Sequence, residues 1–522
     1  MDTNHIYPVQ LPEITVESGL DFLLLELPPR YLPMMPNGLG YVDKTLERVS
    51  VRRQTLDANI IIYHRYHSKR LLRPESFQAL EGVEDLWDNT AVSQWSKPEV
   101  RDLFKSDFCE ILQAIVQAKP RAVGFSIHGA NRPVVNAFIK TLREASPETL
   151  VVLGGYDCVY PDTAKMHIPD YDYIVVGECE ASLPELARQI ILGQRPGDLD
   201  GIISRFDSPG RGIVEPVYPG DLDEAGYPSY DWLDNRLYRS YSGNHLVPIA
   251  ASRGCNWRRC RFCAECFPFR KRQPGNVVDE IEFHVKNGFS IFHFNESDVN
   301  GDHDNLKLIC TGILDRNLSV KMVGQLRISP KNSKEYFDLL AKAGFVHLRF
   351  GVDGWTDSLL KNQRKGYGME TVFQNLEDCH ASGIRTTVNA VVGVPGETEE
   401  DIALSIEHMI QCRDSIDLIE GINTLTLAGG CEYYTNPDRY NIVFTEDRQT
   451  LYQKYPYFIP PQFWYSEEPY IDQAIRLKRT RTICEHLREE GVHIGDFVWK
   501  RLEELENAWA QTIRKDTVMA GT

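Results

Sequence analysis

Short apolar runs alternating with amphipathic segments occur twice along this chain, and that double alternation is what most restricts its fold. In the first series FLLLEL (22–27) precedes LGYVDKTLERV, and NIIIYH (59–64) reads as the next strand. AVGFSIHG (122–129) leads into RPVVNAFIKTLREA, and TLVVLGG (149–155) and YDYIVVGE (171–178) follow before ASLPELARQII. Strands this short, separated by helices, predict an α/β fold with a doubly wound parallel sheet covered on both faces. A second series starts at VPIAAS (247–252). It continues through IFHFNES (291–297), KMVGQLRI (321–328), HLRFGVDG (347–354), RTTVNAVVGV (385–394) and GINTLTLAG (421–429). Helical patterns such as SKEYFDLLAKAGF and EDIALSIEHMIQCRD lie between these strands. Six βα units are fewer than the eight of a closed barrel, so a partial (β/α)6 barrel is expected.

At 522 residues the chain is too long for one core. The expected division is a first domain over 1–200, a linker over 201–245, a partial barrel over 246–445 and a small α-rich C-terminal region over 446–522. Within the linker, GIISRFDSPGRGIVEP predicts a hairpin turning at DSPGRG. The last residues, KDTVMAGT, are expected to be disordered. The formal charge of −17 opposes phosphate backbones and argues against a nucleic-acid partner. No run approaches 18 apolar residues, so no membrane span is expected. MDTNHIYPVQ lacks the pattern of a signal peptide, and a cytoplasmic, reducing location is expected for the 12 cysteines.

Four of those cysteines fall within SRGCNWRRCRFCAEC (252–266), directly after a strand. The scattered ones (Cys109, Cys158, Cys179, Cys310, Cys379, Cys412, Cys431 and Cys484) are expected to be small buried apolar residues. Crowded thiolates on a strand-end loop suit a metal. Zinc would use all four sulfurs, or three and a histidine, in a closed site. An iron–sulfur cluster on three sulfurs keeps one iron open. Spacing alone fits both.

With Phe262 directly before Cys263, the loop resembles the radical SAM superfamily signature C-x3-C-x2-C, here one residue longer in its first gap. The resemblance implies that Cys255, Cys260 and Cys263 ligate a 4Fe–4S cluster whose open iron takes S-adenosylmethionine (SAM). A Cys260–Cys263–Cys266 set is the other register. Phe262 would lie near the adenine. GVDGWTDSLLKNQRKGY (351–367) resembles the family's "G-hydrophobic-E-S-G-…-K-G" segment, with Asp353 in place of the usual Glu and facing the SAM ribose or amino-acid part. VVGVPGET (391–398) resembles its glycine-rich segment, so that Val394 and Gly396 would back the adenine; Glu397 and Thr398 are either helix caps or ligands. Asn295, Glu296 and Asp298 in FNESDVNGD would face the cleft, Glu296 on the SAM side. Arg327 would meet the SAM carboxylate or form a surface salt bridge. Arg258, Arg259 and Arg261 are either a solvated face or a positive field for the cluster.

SRGC and the first series resemble the branch of that family with a Rossmann-like cobalamin-binding domain ahead of the TIM-like partial barrel. LPPRYLPMMPNGLGYVDKTL, GFSIHGAN, LGGYDCVYPD and DYIVVGECE match its landmarks in order. The resemblance implies a cobalamin tail running past Ser126, Gly154, Gly155, Gly177 and Glu178. No D-x-H-x-x-G motif supplies a cobalt-binding histidine, the "G-G-x-H" position holds Asp157, and His128 reads as a loop histidine. The implied activity is reductive cleavage of SAM with methyl transfer to an unactivated carbon of a small molecule, natural-product or lipid intermediate. A flavodoxin- or ferredoxin-type protein would supply electrons. Rearrangement or cyclisation without methyl transfer is the alternative on the same plan, and a non-redox zinc-binding interaction protein is the alternative of another class.

Overall fold

A computed structural model describes residues 11, 13–30, 32, 34–72, 85–88, 91–160, 162, 164–167, 169–228, 230–234, 237–238, 246–265 and 267–520. The chain divides into two compact units, Met1–Pro248 and Ile249–Thr522.

The first unit is built on β1 (Phe22–Glu26), β2 (Arg53–Asp57), β3 (Ala122–Ser126), β4 (Leu150–Gly154), β5 (Tyr173–Val175) and β6 (Ile202–Ser204). They form one sheet in the order β2-β1-β3-β4-β5-β6, with the first five parallel and β6 antiparallel to β5. Successive residues of β1 serve opposite faces, as the strand period of two requires. Leu23 and Leu25 join Val123, Phe125, Val151 and Ile174 in one core cluster, whereas Phe22 and Leu24 join Val152, Tyr173 and Leu186 in another. Two cores on one sheet are the signature of double winding.

Two expectations fail here. NIIIYH is not a strand: helix Ala58–Leu72 contains it, and the strand is the preceding RQTLD. A short apolar run cannot by itself separate a strand from a buried helix, and here burial continues at helical spacing to Tyr63, Tyr66 and His67. The linker hairpin also does not form. Ile202–Ser204 instead completes the sheet edge against β5, and Val217 bridges Gly177.

The second unit carries β7 (Val247–Ile249, at the junction), β8 (Ile291–Phe294), β9 (Lys321–Leu326), β10 (Phe345–Asp353), β11 (Arg385–Val392) and β12 (Leu418–Thr424). Their sheet order is sequential, and the pairings from β8 to β12 are parallel. Sequential right-handed crossovers place every connecting helix on one face. That face is apolar and buried, through Phe292, Phe294, Met322, Leu348, Phe350, Val388 and Ile419. The C-terminal region adds strands Ile442–Phe444, Trp464–Glu467 and Tyr470–Ile471 to helices Gln473–Glu489 and Asp496–Ala520. The last helix thus runs through most of the tail expected to be disordered. No helix among the described residues is long and apolar enough to cross a membrane.

Candidate cofactor sites

The cysteine loop leaves β7 and is pinned at its base by the antiparallel pair Ser252–Arg253 and Arg270–Lys271. Its anchors explain the long first gap. Asn256 donates to the Gly301 carbonyl at 2.7 Å, and Trp257 Nε1 donates to the Arg364 carbonyl at 2.7 Å. A Cβ on Gly366 would lie 2.2 Å from the Trp257 ring, so the indole needs glycine there. Trp257 in turn carries the Arg327 guanidinium 4.1 Å from its ring centroid. Arg261 donates to Asn362 at 2.7 Å and lies over Tyr440, so it is a fastener rather than a solvated charge. Arg258 and Arg259 are exposed.

Cys255 and Cys260 are half-buried and Cys263 is exposed, and the three sulfurs are close enough to feel one another's charge. Cys266 lies outside the described residues. Burial raises the Cys260 thiol, while Lys365 and Arg327 pull it down. No group of three or more His, Cys, Asp or Glu among the described residues converges on one metal ion. A cubane spreads its thiolates over three irons, and the donor set fits it. Of the scattered cysteines, six are buried as expected; Cys179 is half-buried and Cys109 is exposed, so these two depart from that expectation.

Phe262 and Val394 pack into one apolar cluster with Leu359 and Leu425. Gly396 sits on the same β11 loop with Asn362 Nδ2 nearby. This loop is clamped by helix Gln473–Glu489. Arg476, fully buried over Trp464, donates to the Gly393 carbonyl, and Arg479 donates to Glu397 Oε2 at 3.0 Å. Glu397 also accepts from the Gly393 N–H, so it is a loop brace; Thr398 is the helix cap, in a capping box with Asp401. Asp353 is buried at the end of β10 with φ +64°, and its carboxylate meets Lys365 Nζ at 2.6 Å. Arg327 makes no salt bridge among the described residues; it donates to the Lys365 and Ile328 carbonyls. Sequence reasoning missed Lys365, although the "K-G" of the quoted segment was its signal.

Glu296 commits one oxygen to the N–H groups of Ala251 and Ser252, where the cysteine loop begins. Its other oxygen, Asp298 Oδ1 and Arg327 Nε are buried without hydrogen-bond partners. Two acceptors and one donor held open beside the loop fit the amino and carboxylate groups of SAM. Burial pushes the Glu296 carboxyl up to about 7, against the pull of the backbone N–H groups. The native state therefore holds this proton more tightly than the unfolded chain. Stability falls as pH rises from 4.5 towards about 7, by at most ~1.4 kcal/mol per pH unit. Glu296→Gln should flatten that slope, measured as the wild-type minus variant difference in urea unfolding at pH 5 and pH 7.

In the first unit Ser126, Gly154 and Gly155, and Gly177 and Glu178 stand at or just beyond the C-terminal ends of β3, β4 and β5, beside the point where strand order reverses between β1 and β3. That is where a doubly wound sheet opens a crevice. The Cβ position of Gly154 meets nothing within 4 Å, which leaves room for a ligand tail. Gly155 has φ +103°, and a Cβ there would lie 2.6 Å from the Ile127 carbonyl oxygen. Gly155→Val should therefore displace the loop and lower cobalamin retention on gel filtration, whereas Gly154→Ala should fold normally. Gly177 packs against Pro216 of the connector, and Glu178 is buried. Asp157 is buried and paired with Arg132 at 3.1 Å; His128 Nε2 lies 3.7 Å from Glu26.

Comparison with known proteins matches residues 249–409 to the radical SAM superfamily and residues 98–187 to the B12 binding domain. The chain is 26% identical over 271 residues to anaerobic magnesium-protoporphyrin IX monomethyl ester cyclase of Synechocystis, covering 49% of this chain and 53% of that protein. It is 21% identical to cytidylyl-2-hydroxyethylphosphonate methyltransferase of Streptomyces wedmorensis, covering 72% of each. The chain spans about half the length of the first curated relatives it matches. Among solved structures it resembles the radical SAM methyltransferase TsrM of Kitasatospora setae, with TM-score 0.63, 20% identity and coverage of 82% of this chain and 80% of that one. The two domain matches imply a 4Fe–4S cluster, SAM and cobalamin as cofactors, and the residues described above fit them. Residues 249–409 are therefore a radical SAM domain and residues 98–187 a B12 binding domain, joined on one chain.

Proposed function

We propose that the chain is a cobalamin-dependent radical SAM C-methyltransferase acting on a small molecule. The observation that carries this reading is the conjunction, on one chain, of a three-thiol loop at a barrel strand end and an open crevice in a doubly wound sheet. When bound, the cofactors supply reductive cleavage of a sulfonium C–S bond and a transferable methyl group. The chain's own part is to bind and orient. Cys255, Cys260 and Cys263 hold the cluster. Glu296, Asp298 and Arg327 present open hydrogen-bonding atoms to the SAM head group, Asp353 is fixed by Lys365, and Phe262, Val394 and Gly396 shape an apolar wall for the adenine. Ser126, Gly154, Gly155, Gly177 and Glu178 border the cobalamin crevice. A flavodoxin- or ferredoxin-type donor, a small-molecule rather than nucleic-acid substrate and a cytoplasmic location complete the reading, the second supported by the net charge of −17.

The domain division proposed is 1–200, 201–245, 246–445 and 446–522. A second reading, cyclisation without methyl transfer, has the likeness to the Synechocystis cyclase behind it. Anaerobic incubation with reductant, hydroxocobalamin, SAM and candidate substrates separates the two, because SAM is then the only source of the methyl group. Methyl transfer gives 5′-deoxyadenosine and S-adenosylhomocysteine together; 5′-deoxyadenosine alone, with substrate consumed, would replace the first reading by the second.

A further inference from the structure

The face of the second sheet turned away from the helices is largely polar, with Val323 and Val391 among its apolar members. In a closed barrel this face is packed with Val, Ile and Leu. Here it carries His293, His347, Arg349, Thr387, Asn389 and Glu420, all but Thr387 only partly buried. Glu420 gets there through a bulge: β11 register passes from Val388↔Ile419 to Asn389↔Gly421, leaving Glu420 as the extra residue. Bulges re-aim side chains in this way. The Glu420 carboxylate meets Arg349 at 2.5 Å, with both side chains 42% exposed. His347 Nε2 lies 2.7 Å from Thr387 Oγ1.

Four atoms on this face are buried without hydrogen-bond partners: His293 Nδ1, Arg349 Nε, Asn389 Oδ1 and Glu420 Oε2. Each is destabilising while unpaired. A face that keeps four of them open is built for partners from outside the chain. Its central charges are the Arg349 guanidinium and the Glu420 carboxylate, with Arg385 opposite His347 at the start of its strand. Burial holds both imidazoles neutral; His293 is pushed down to about 4, with Arg349 and His347 adding to the effect, and Arg385 lowers His347 further.

We propose that this face binds the substrate, and that the substrate is a zwitterion of the α-amino-acid type. Its ammonium donates to Glu420 and Asn389, and its carboxylate accepts from the Arg349 guanidinium, so that one ligand satisfies both charges and three of the four stranded atoms. A hydrocarbon skeleton would desolvate the pair and satisfy none of them. This rests on the small-molecule reading above.

The test uses the anaerobically reconstituted holoenzyme with SAM, titrated calorimetrically with each of the twenty proteinogenic α-amino acids and with their N-acetyl and methyl ester forms. At least one free amino acid should bind, with blocked forms weaker by about tenfold or more. The isosteric Glu420→Gln and the charge-removing Arg349→Gln should each weaken it about as much, while SAM affinity and cluster absorption stay at wild-type levels. If no free amino acid binds to enzyme that holds both cluster and SAM, the proposal is wrong. It is also wrong if Glu420→Gln weakens SAM instead. Failure to hold a cluster would overturn the reading in the preceding section, whereas amino-acid binding, repeated on the cluster-free protein, is judged separately.

Discussion

Alanine at Cys255, Cys260 or Cys263 should each strip the protein of iron and reduce SAM cleavage to background, whereas Cys266→Ala should keep both. The reason is geometric. Cys255 follows directly from the ladder Ser252–Arg253 with Arg270–Lys271, and Cys260 and Cys263 are joined by a hydrogen bond between the Cys263 N–H and the Cys260 carbonyl at 3.3 Å. The intervening residues are pinned by Asn256, Trp257 and Arg261 to Gly301, Arg364 and Asn362. A loop fixed at that many points presents three thiols in a set arrangement, and a cubane that loses one of three protein ligands is not held. Iron analysis and absorption of the anaerobic variants read this directly. Iron retained in Cys255→Ala and lost in Cys266→Ala would instead identify Cys260, Cys263 and Cys266 as the ligands.

Lys365→Met should destabilise the protein by about 3–5 kcal/mol, the cost of leaving a buried carboxylate without its counter-ion. Lys365 Nζ lies 2.6 Å from Asp353 Oδ2 and 2.8 Å from the Gly351 carbonyl, with side-chain exposures of 6% and 11% for the pair. Water cannot replace the lysine there. Asp353 is also held in the left-handed region, so its placement depends on that contact. The double variant Lys365→Met, Asp353→Asn should recover much of the loss, because the amide removes the unpaired charge and asparagine tolerates the left-handed backbone at 353. Urea midpoints of the three proteins decide it. A loss under about 1 kcal/mol in Lys365→Met would mean that the pair is solvated and weak.

What the sequence made legible was local in character. The cysteine spacing, the strand runs of the second series and the glycine landmarks of the first each sit within a few residues of one another, and the fold puts them at strand ends. What it hid depends on distant partners. RQTLD became β2 because its neighbour NIIIYH had a better use as a buried helix face. Arg476 and Arg479 look like surface charges on a basic helix, yet they are buried against Gly393 and Glu397 some eighty residues away. Glu420 reads as an ordinary strand residue until a bulge turns it towards Arg349. The extra residue of the first cysteine gap is likewise explained only by the glycine at 366 that receives Trp257.

Metal and cofactor analysis of the anaerobically purified chain tests the central claim most directly. The account predicts a brown protein with about four irons per chain, whose reduced paramagnetic signal shifts when SAM is added, and which yields a cobalamin chromophore after cyanide extraction. A colourless protein carrying zinc on the cysteine loop, with no iron and no response to SAM, would contradict it.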